Sequence, residues 1–327
     1  MKKHLIILAS IMGLISTLVI HAETAAAQVN PASIDLFNYQ PPNRNSTVCS
    51  IPINYDAGST DAATQDNAVT ERTEQENVAV HNPFVISFYK PTYILPYYYT
   101  AYPDQAVYQG DIPDNQNINH NELMFQISFK EPIWSFNDTH KLYLAYTQDS
   151  FWQAYQNSPF FRETDYQPEL FLANQVNWHL LDGWQTNFFN IGALHESDGR
   201  GGTMERSWNR LYVEAISAKG NWLSDIQPWY IIKEHSLETY NPDIAHYLGY
   251  GQVLFGYKFH SQLFALTLEN EAESGFSRGS ETFTWSFPLW DDLRGYVLVF
   301  SGYGQSMIEY KHYTNSIGLG ISLSDWI

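Results

Sequence analysis

The chain has 327 residues, 44% hydrophobic and 16% aromatic, and carries a formal charge of −18 at pH 7. That balance leaves no electrostatic footprint for a phosphate backbone, so a nucleic-acid partner is excluded, and the acidic surplus serves solubility in transit. Cys49 is the only cysteine, which rules out an intrachain disulfide and any CxxC redox or zinc site.

Lys2, Lys3 and His4 lead into an apolar run from Leu5 to Ile20, with small residues after it at Ala22 and Ala25–Ala27. The pattern predicts a secretory signal peptide over residues 1–22. The run is short for a spanning helix, which needs about 20 residues. No cysteine closes it, which argues against a lipoprotein. Residues 23–82 differ in character from the C-terminal three quarters of the chain: Asp61–Glu76 reads DAATQDNAVTERTEQE, polar, acidic and without period. They are predicted to form a flexible or partly ordered periplasmic extension, with room for a short strand near Cys49–Tyr55.

From 83 to 327 the pattern becomes segments of roughly ten residues with period-two apolarity, separated by Gly, Asn, Asp and Pro, the signature of a transmembrane β-barrel. Twelve segments are counted, near 84–97, 120–131, 139–153, 166–178, 184–197, 206–218, 221–235, 246–259, 261–273, 281–289, 293–304 and 309–325. The predicted fold is therefore all-β, a transmembrane antiparallel barrel of twelve strands, even in number as a bacterial single-chain barrel requires. In the last segment Ile317, Leu319, Ile321 and Leu323 alternate with Gly318, Gly320, Ser322 and Ser324, placing branched residues toward lipid and small ones inward. A soluble sandwich or lipocalin-like barrel needs an apolar inner face, and the second faces here are too polar for one. Tyr97–Tyr99 and Trp326 are predicted to sit in interfacial girdles.

The stretch GALHESDGRGGTMERSWNRLY, residues 192–212, reads as a hairpin turning at Gly199, Gly201 and Gly202. If His195 faces Asn209, every opposed pair sums to 404: Ser197 with Ser207, Ala193 with Leu211, Ile191 with Val213. One face then carries Ile191, Ala193, His195, Ser197 and their partners; the other carries Glu196, Trp208, Arg210 and Glu214. The apolar face of a membrane barrel meets lipid, so His195, Ser197 and Asn209 are predicted on the lipid side. Strand parity places them near the outer leaflet. Polar groups there are costly and usually functional. Ser197 and His195, two residues apart on one strand, suit a nucleophile and its general base. Asn209 across the ladder suits the third member that orients the imidazole. It brings no charge, a deficit that a cation near the oxyanion can offset, and the Gly199 N–H can face that oxyanion. These are the parts of a hydrolase aimed at an acyl chain.

HESDG at 195–199 followed by RSWNRLY at 206–212 resembles the outer membrane phospholipase A family (detergent-resistant phospholipase A), whose barrel carries H-x-S-x-G and S-W-N-R-L-Y at this spacing. YTQDSFWQ at 146–153, SPFFRETDYQPELFL at 158–172, GNWLSDIQPWYII at 220–232, NPDIAHYLGYGQ at 241–252 and SGYGQSMIEY at 301–310 look like family blocks in family order. The resemblance implies a calcium-dependent phospholipase of the bacterial outer membrane, active as a homodimer on membrane phospholipids. Ser197 matches the nucleophile, His195 the base, Asn209 the orienting residue and Gly199 the oxyanion amide. Arg200 matches the position giving a carbonyl to calcium. Glu205 stands where the family has a Ser ligand, and a carboxylate is the stronger hard-oxygen donor. Asn157, or Ser158 by one step of alignment, matches the position reaching the metal from the partner subunit. A second calcium site through Glu238 in the 234–243 loop aligns poorly. Gln148 matches the dimer interface; on the lipid-side parity of its strand, it is expected to be unsatisfied in a monomer. The chain departs from the pattern by ending Trp326-Ile327 rather than in an aromatic residue.

The match to G-x-S-x-G at Gly275–Gly279 falls between two strands and lacks the strand-to-helix elbow that motif needs. His179, His246, His260 and His312 show no metal-ligand spacing. Two other functions remain: a small porin or catalytically inactive structural barrel, which the charged interior of a twelve-strand barrel disfavours, and an acyltransferase, whose acceptor the sequence does not show.

Overall fold

The computed structural model describes Val69, residues 86–290 and residues 293–326. The predicted signal peptide, the extension apart from Val69, and the strand near Cys49–Tyr55 lie outside the described residues. A two-residue strand β1 (Ser87–Phe88) precedes twelve long ones: β2 (Tyr93–Thr100), β3 (Asn121–Ser135), β4 (His140–Trp152), β5 (Phe161–His179), β6 (Gln185–Ser197), β7 (Ser207–Lys219), β8 (Trp222–Ile232), β9 (Gly251–Phe259), β10 (Gln262–Glu269), β11 (Ser280–Trp290), β12 (Leu293–Gly302) and β13 (Thr314–Ser322). Each pairs antiparallel with its chain neighbours, and β13 pairs with β2 to close the barrel. Among the described residues no helix is long and apolar enough to cross a membrane. The crossing is made by strands, whose backbone groups pair along a ladder that closes on itself.

The two faces are inverted relative to a soluble barrel. Mid-strand Ile127, Leu144, Ile191, Ile226, Phe255 and Leu319 are all exposed, while Lys130, Glu169, Asn190, Arg210, Glu214 and Asp225 are buried in the lumen. A cation on the lipid face at the midplane costs about 2–4 kcal/mol, so the alternation itself fixes which side faces hydrocarbon. Aromatics mark both rims. Trp134, Trp178, Trp222 and Trp290 are exposed at one end, and Tyr97, Tyr155, Tyr230 and Tyr250 at the other. Two girdle expectations fail. Tyr98 turns inward, 2% exposed and edge-on to Phe151, because its strand parity opposes that of Tyr97. Trp326 packs against a cluster containing Val69, Phe188, Leu223 and Leu254, since β13 stops at Ser322 and the chain then folds back, with Ser286 donating to Asp325.

The lumen is filled rather than open, which does not suit a porin. Tyr89, Phe171 and Tyr143 stack in series at 5.3 and 5.2 Å, with Lys130 over the Tyr143 ring at 4.9 Å. Glu169 accepts from the hydroxyls of Tyr89 (3.0 Å) and Tyr212. Toward the Tyr-rich rim, Arg162 pairs with Glu122 at 2.9 Å, Glu309 at 3.4 Å and Glu163 at 3.6 Å.

Strand ends depart from the expected segments where local chemistry intervenes. The first predicted segment splits: Ser87–Phe88 pairs with β3, and after Pro91 the chain restarts as β2. Pro96 lacks an N–H for the ladder, and both of its pairings shift register there. The eighth segment opens as a helix, α2 (Ala245–Leu248), after a first short helix, α1 (His235–Tyr240). Part of the twelfth becomes a loop whose Met307, Ile308 and Tyr310 are buried. That loop is drawn inward because Asp165 and Glu163 accept from the Met307 and Ile308 N–H groups at 3.2 and 2.5 Å. A third short helix, α3 (Glu271–Ser274), and the G-x-S-x-G match lie in the loop between β10 and β11.

Candidate active site

The β6–β7 hairpin has the expected register: His195 opposes Asn209, Ser197 opposes Ser207, Ala193 opposes Leu211 and Ile191 opposes Val213. His195 and Ser197 thus share the face that lower down carries exposed Ile191 and Val213. His195 Nδ1 lies 2.8 Å from Asn209 Oδ1. An amide oxygen only accepts, so the ring proton resides on Nδ1 and the Nε2 lone pair is left for a second partner. Ser197, half-buried two residues along the strand, makes no side-chain hydrogen bond among the described residues. The structure brings these three residues to one place at the rim.

The opposite, luminal face braces them. Glu196 opposes Trp208 and accepts its indole N–H at 2.9 Å, and Arg210 pairs with the same carboxylate while stacking 4.0 Å over the Trp208 ring. Charge-assisted hydrogen bonds and cation–π contact away from water are among the stronger polar interactions. They lock the strands whose other faces carry His195 and Asn209.

Past Ser197 the loop is pinned by Asp198, whose N–H donates to the Arg206 carbonyl at 3.1 Å. Its Oδ1 accepts from Arg200 N at 3.0 Å and Arg206 N at 3.2 Å. Burial pushes the Asp198 carboxyl up to about 7 against the lowering effect of those amides. Between these engaged amides the Gly199 N–H has no acceptor within the described chain. Gly199 has φ +64°, and a Cβ there would stand 2.8 Å from the Tyr166 ring. Glycine is required both for the left-handed backbone and for the contact.

Among the described residues no three His, Cys, Asp or Glu side chains converge on a metal position. A cation at this loop would therefore depend on carbonyl and hydroxyl oxygens and water besides Glu205. The donor chemistry fits a hard cation. Glu205 is half-buried, and one of its oxygens, Oε1, accepts from Ser236 Oγ at 2.5 Å. Asp198 Oδ2 is buried with no hydrogen-bond partner. The Arg200 guanidinium folds back on the carbonyls of Phe161 (3.3 Å) and Arg162 (2.6 Å). Asn157 lies exposed in the β4–β5 loop and does not join this group. Glu238 is exposed on α1.

Gln148 differs from expectation. Within the single chain its Oε1 accepts from Tyr146 at 2.8 Å and its Nε2 donates to Ser150 at 3.0 Å. Both partners stand two residues away on its own strand face, so the amide is satisfied without a second subunit.

Hairpin parity alone misses Glu234, which accepts a hydrogen bond from Asn209 Nδ2. A signal for it exists in the sequence. The Gly220-Asn221 turn sets β7 against β8 so that Asn209 opposes Ile232, and Glu234 comes two places later, on the same face.

A family model described as Phospholipase A1 matches residues 69–323. Phospholipase A1 of Klebsiella pneumoniae is 32% identical over 249 residues, covering 75% of this chain and 84% of that protein; phospholipase A1 of Escherichia coli K12 is 33% identical over 252 residues, covering 75% and 83%. Outer membrane phospholipase A from Escherichia coli superposes with a TM-score of 0.70 at 31% identity, over 75% of this chain and all of that one. The Salmonella typhi outer membrane phospholipase dimer with bound calcium gives 0.72 at 31% identity, over 80% and 98%. An active-site mutant of the Escherichia coli protein, with an asparagine replaced by alanine, gives 0.70 at 32% identity, over 75% and 94%.

Proposed function

The chain belongs to the phospholipase A1 family and is a phospholipase built as a β-barrel of the bacterial outer membrane; from there we propose that it cleaves phospholipid acyl esters through Ser197, His195 and Asn209 by way of an acyl-enzyme. The observation that carries this reading is the 2.8 Å bond from His195 Nδ1 to Asn209 Oδ1, with an unengaged Ser197 on the same lipid-facing edge. The asparagine at the active site of the Escherichia coli relative supports it.

Ser197 Oγ adds to the ester carbonyl carbon as its proton passes to His195 Nε2. The imidazolium, held by Asn209, returns that proton to the departing lysophospholipid oxygen. A water molecule deprotonated by the same nitrogen then releases the fatty acid and restores Ser197. The unengaged N–H of Gly199 faces the oxyanion of both tetrahedral intermediates, a donor whose loss typically costs about 10²–10³ in rate. Substrate reaches the site along the barrel wall, since the nucleophile stands above an apolar strip.

The calcium-bound Salmonella typhi dimer supports Ca²⁺ as cofactor and a homodimer as the active form. Glu205 and the Arg200 carbonyl would hold the ion, with Asn157 or Ser158 supplied by the partner subunit. When bound, Ca²⁺ supplies positive charge beside the oxyanion. Gln148 would remain an interface residue, exchanging its intrachain bonds for bonds across the dimer.

Fatty-acid release from mixed phospholipid–detergent micelles tests the reading. Ser197→Ala is expected to lose about three orders of magnitude or more, and chelation to abolish wild-type release. Glu205→Ala is expected to weaken calcium binding measured by calorimetry at least tenfold. Full activity in Ser197→Ala overturns the nucleophile assignment, and unchanged calcium affinity in Glu205→Ala overturns that ligand.

A further inference from the structure

Asparagine in the third position of such a site carries no charge, and its amide can flip. Glu234 bears on both points. Asn209 bridges His195 and Glu234: its Oδ1 stands 2.8 Å from the imidazole Nδ1 and its Nδ2 donates to Glu234 Oε1. An ionised carboxylate only accepts, so it admits the amide in one orientation, with the oxygen toward His195. We propose that Glu234 is a positioning residue of this site, which fixes the Asn209 amide and places a negative charge one hydrogen bond behind the imidazole. The proposal rests on the Ser197–His195–Asn209 reading and deepens it.

The surroundings hold Glu234 for this role. It lies just past the end of β8 in extended conformation, φ −143° and ψ 168°, and its carbonyl accepts the first helical bond of α1, from Glu238 N at 3.0 Å. That helix is fastened to the start of β7 at several points. Asn241 Oδ1 accepts from Ser207 N at 3.2 Å, Asn241 Nδ2 donates to the Ser207 carbonyl at 3.0 Å, and Ser207 Oγ donates to Ser236 Oγ at 3.0 Å. Leu237 plugs the helix into the lumen, 6% exposed. The carboxylate is thus anchored by its own backbone and by the strand that carries Asn209.

No other carboxylate among the described residues hydrogen-bonds to Asn209. Glu196 adjoins His195 in sequence but projects to the luminal face, where Trp208, Arg210 and Gln167 engage it. Partial burial raises the Glu234 carboxyl above its usual range, and the Asn209 amide holds it back down. Burial also strengthens the bond, since a charge-assisted hydrogen bond shielded from water polarises its donor. The amide oxygen facing His195 becomes more negative, and it does so most when the imidazole carries the extra proton of the transition state. That is the difference between ground and transition state that raises kcat rather than lowering KM.

The test is a double-mutant cycle on the full-length refolded enzyme with calcium present, using the isosteric Glu234→Gln. Glu234→Gln is expected to lower kcat about tenfold with KM unchanged within about twofold. In the Asn209→Ala background the same change is expected to cost nothing, because the connection to His195 is already cut. A merely structural glutamate would cost the same in both backgrounds, or raise KM, and either result overturns the proposal. A second readout does not need the alanine variant. The His195 Nδ1 proton, identified in the NMR spectrum by its loss in His195→Ala, is expected to move upfield in Glu234→Gln; no movement overturns the charge role. If Ser197→Ala keeps full activity, the triad reading fails first. If Ser197→Ala is dead and Glu234→Gln matches wild type, only the Glu234 assignment fails.

Discussion

At the scale of single residues the site is a set of constraints on where protons and backbone amides point. Gly199 shows how narrow they are. Its φ of +64° lies in the left-handed region, and any Cβ meets the Tyr166 ring at 2.8 Å. Gly199→Ala combines about 1 kcal/mol of backbone strain with displacement of the amide proposed to face the oxyanion. The expected outcome is a kcat lowered by about 10²-fold, with gel mobility of the folded barrel unchanged. Loss of folding would mean instead that the glycine serves assembly. The glycine, His195, Ser197 and Asn209 are legible in the sequence because period-two parity and one glycine turn determine which side chains meet. Glu234 is less so: it requires a second register, from Gly220, carried past the end of a strand into a helix that apolar spacing does not announce. Gln148 misleads for a related reason. Parity assigns a side chain to a face, but not the hydroxyls of Tyr146 and Ser150 that happen to satisfy it there.

Among elements, the seam between β13 and β2 carries the closure. Gly320 sits where the register shifts, and a Cβ on it would collide with the Ile94 carbonyl oxygen and stand 2.8 Å from Leu95 Cα, both backbone atoms that cannot turn aside. Gly320→Ala is expected to block refolding into the heat-modifiable form on gels, whereas Gly201→Ala, with nothing within 4 Å of its added carbon, is expected to refold like wild type. Equal refolding of the two would show that the seam has slack. Alternation of Ile317, Leu319 and Ile321 with small residues makes β13 readable in advance. The first strand is harder, since Pro91 and Pro96 divide an apolar run whose period continues through them. The run near 246 is harder too, because Ile244 and Leu248 bury equally well from a helix, and a short apolar run does not discriminate the two periods.

The whole molecule hides acidic groups at its Tyr-rich rim, and that has a pH consequence. Glu309, in the loop after β12, is 2% exposed, and burial pushes its carboxyl from the ordinary 4.5 up to about 7 despite Arg162 at 3.4 Å. Between those values the folded barrel holds a proton that the unfolded chain releases, so stability falls as pH rises from about 4.5 to 7. Glu309→Gln removes that dependence. Unfolding temperatures in detergent should show the variant gaining on wild type from pH 5 to pH 8, by up to about 3 kcal/mol. A constant difference would mean that the Arg162 ion pair offsets the burial. None of this is visible in the sequence, where 293–304 and 309–325 read as separate strands and the inward turn between them depends on Glu163 and Asp165 from far along the chain.

A phospholipase whose proposed nucleophile, Ser197, stands above a band of exposed Ile and Val meets its reactant in two dimensions. What governs its encounter rate is the mole fraction of ester lipid in the surrounding film, not the amount of lipid in the tube. Inert amphiphile spreads the reactants apart even when total substrate is held constant. The fatty acid and lysolipid released remain in that film, so each turnover alters the composition, curvature and packing of the phase in which the enzyme itself is dissolved.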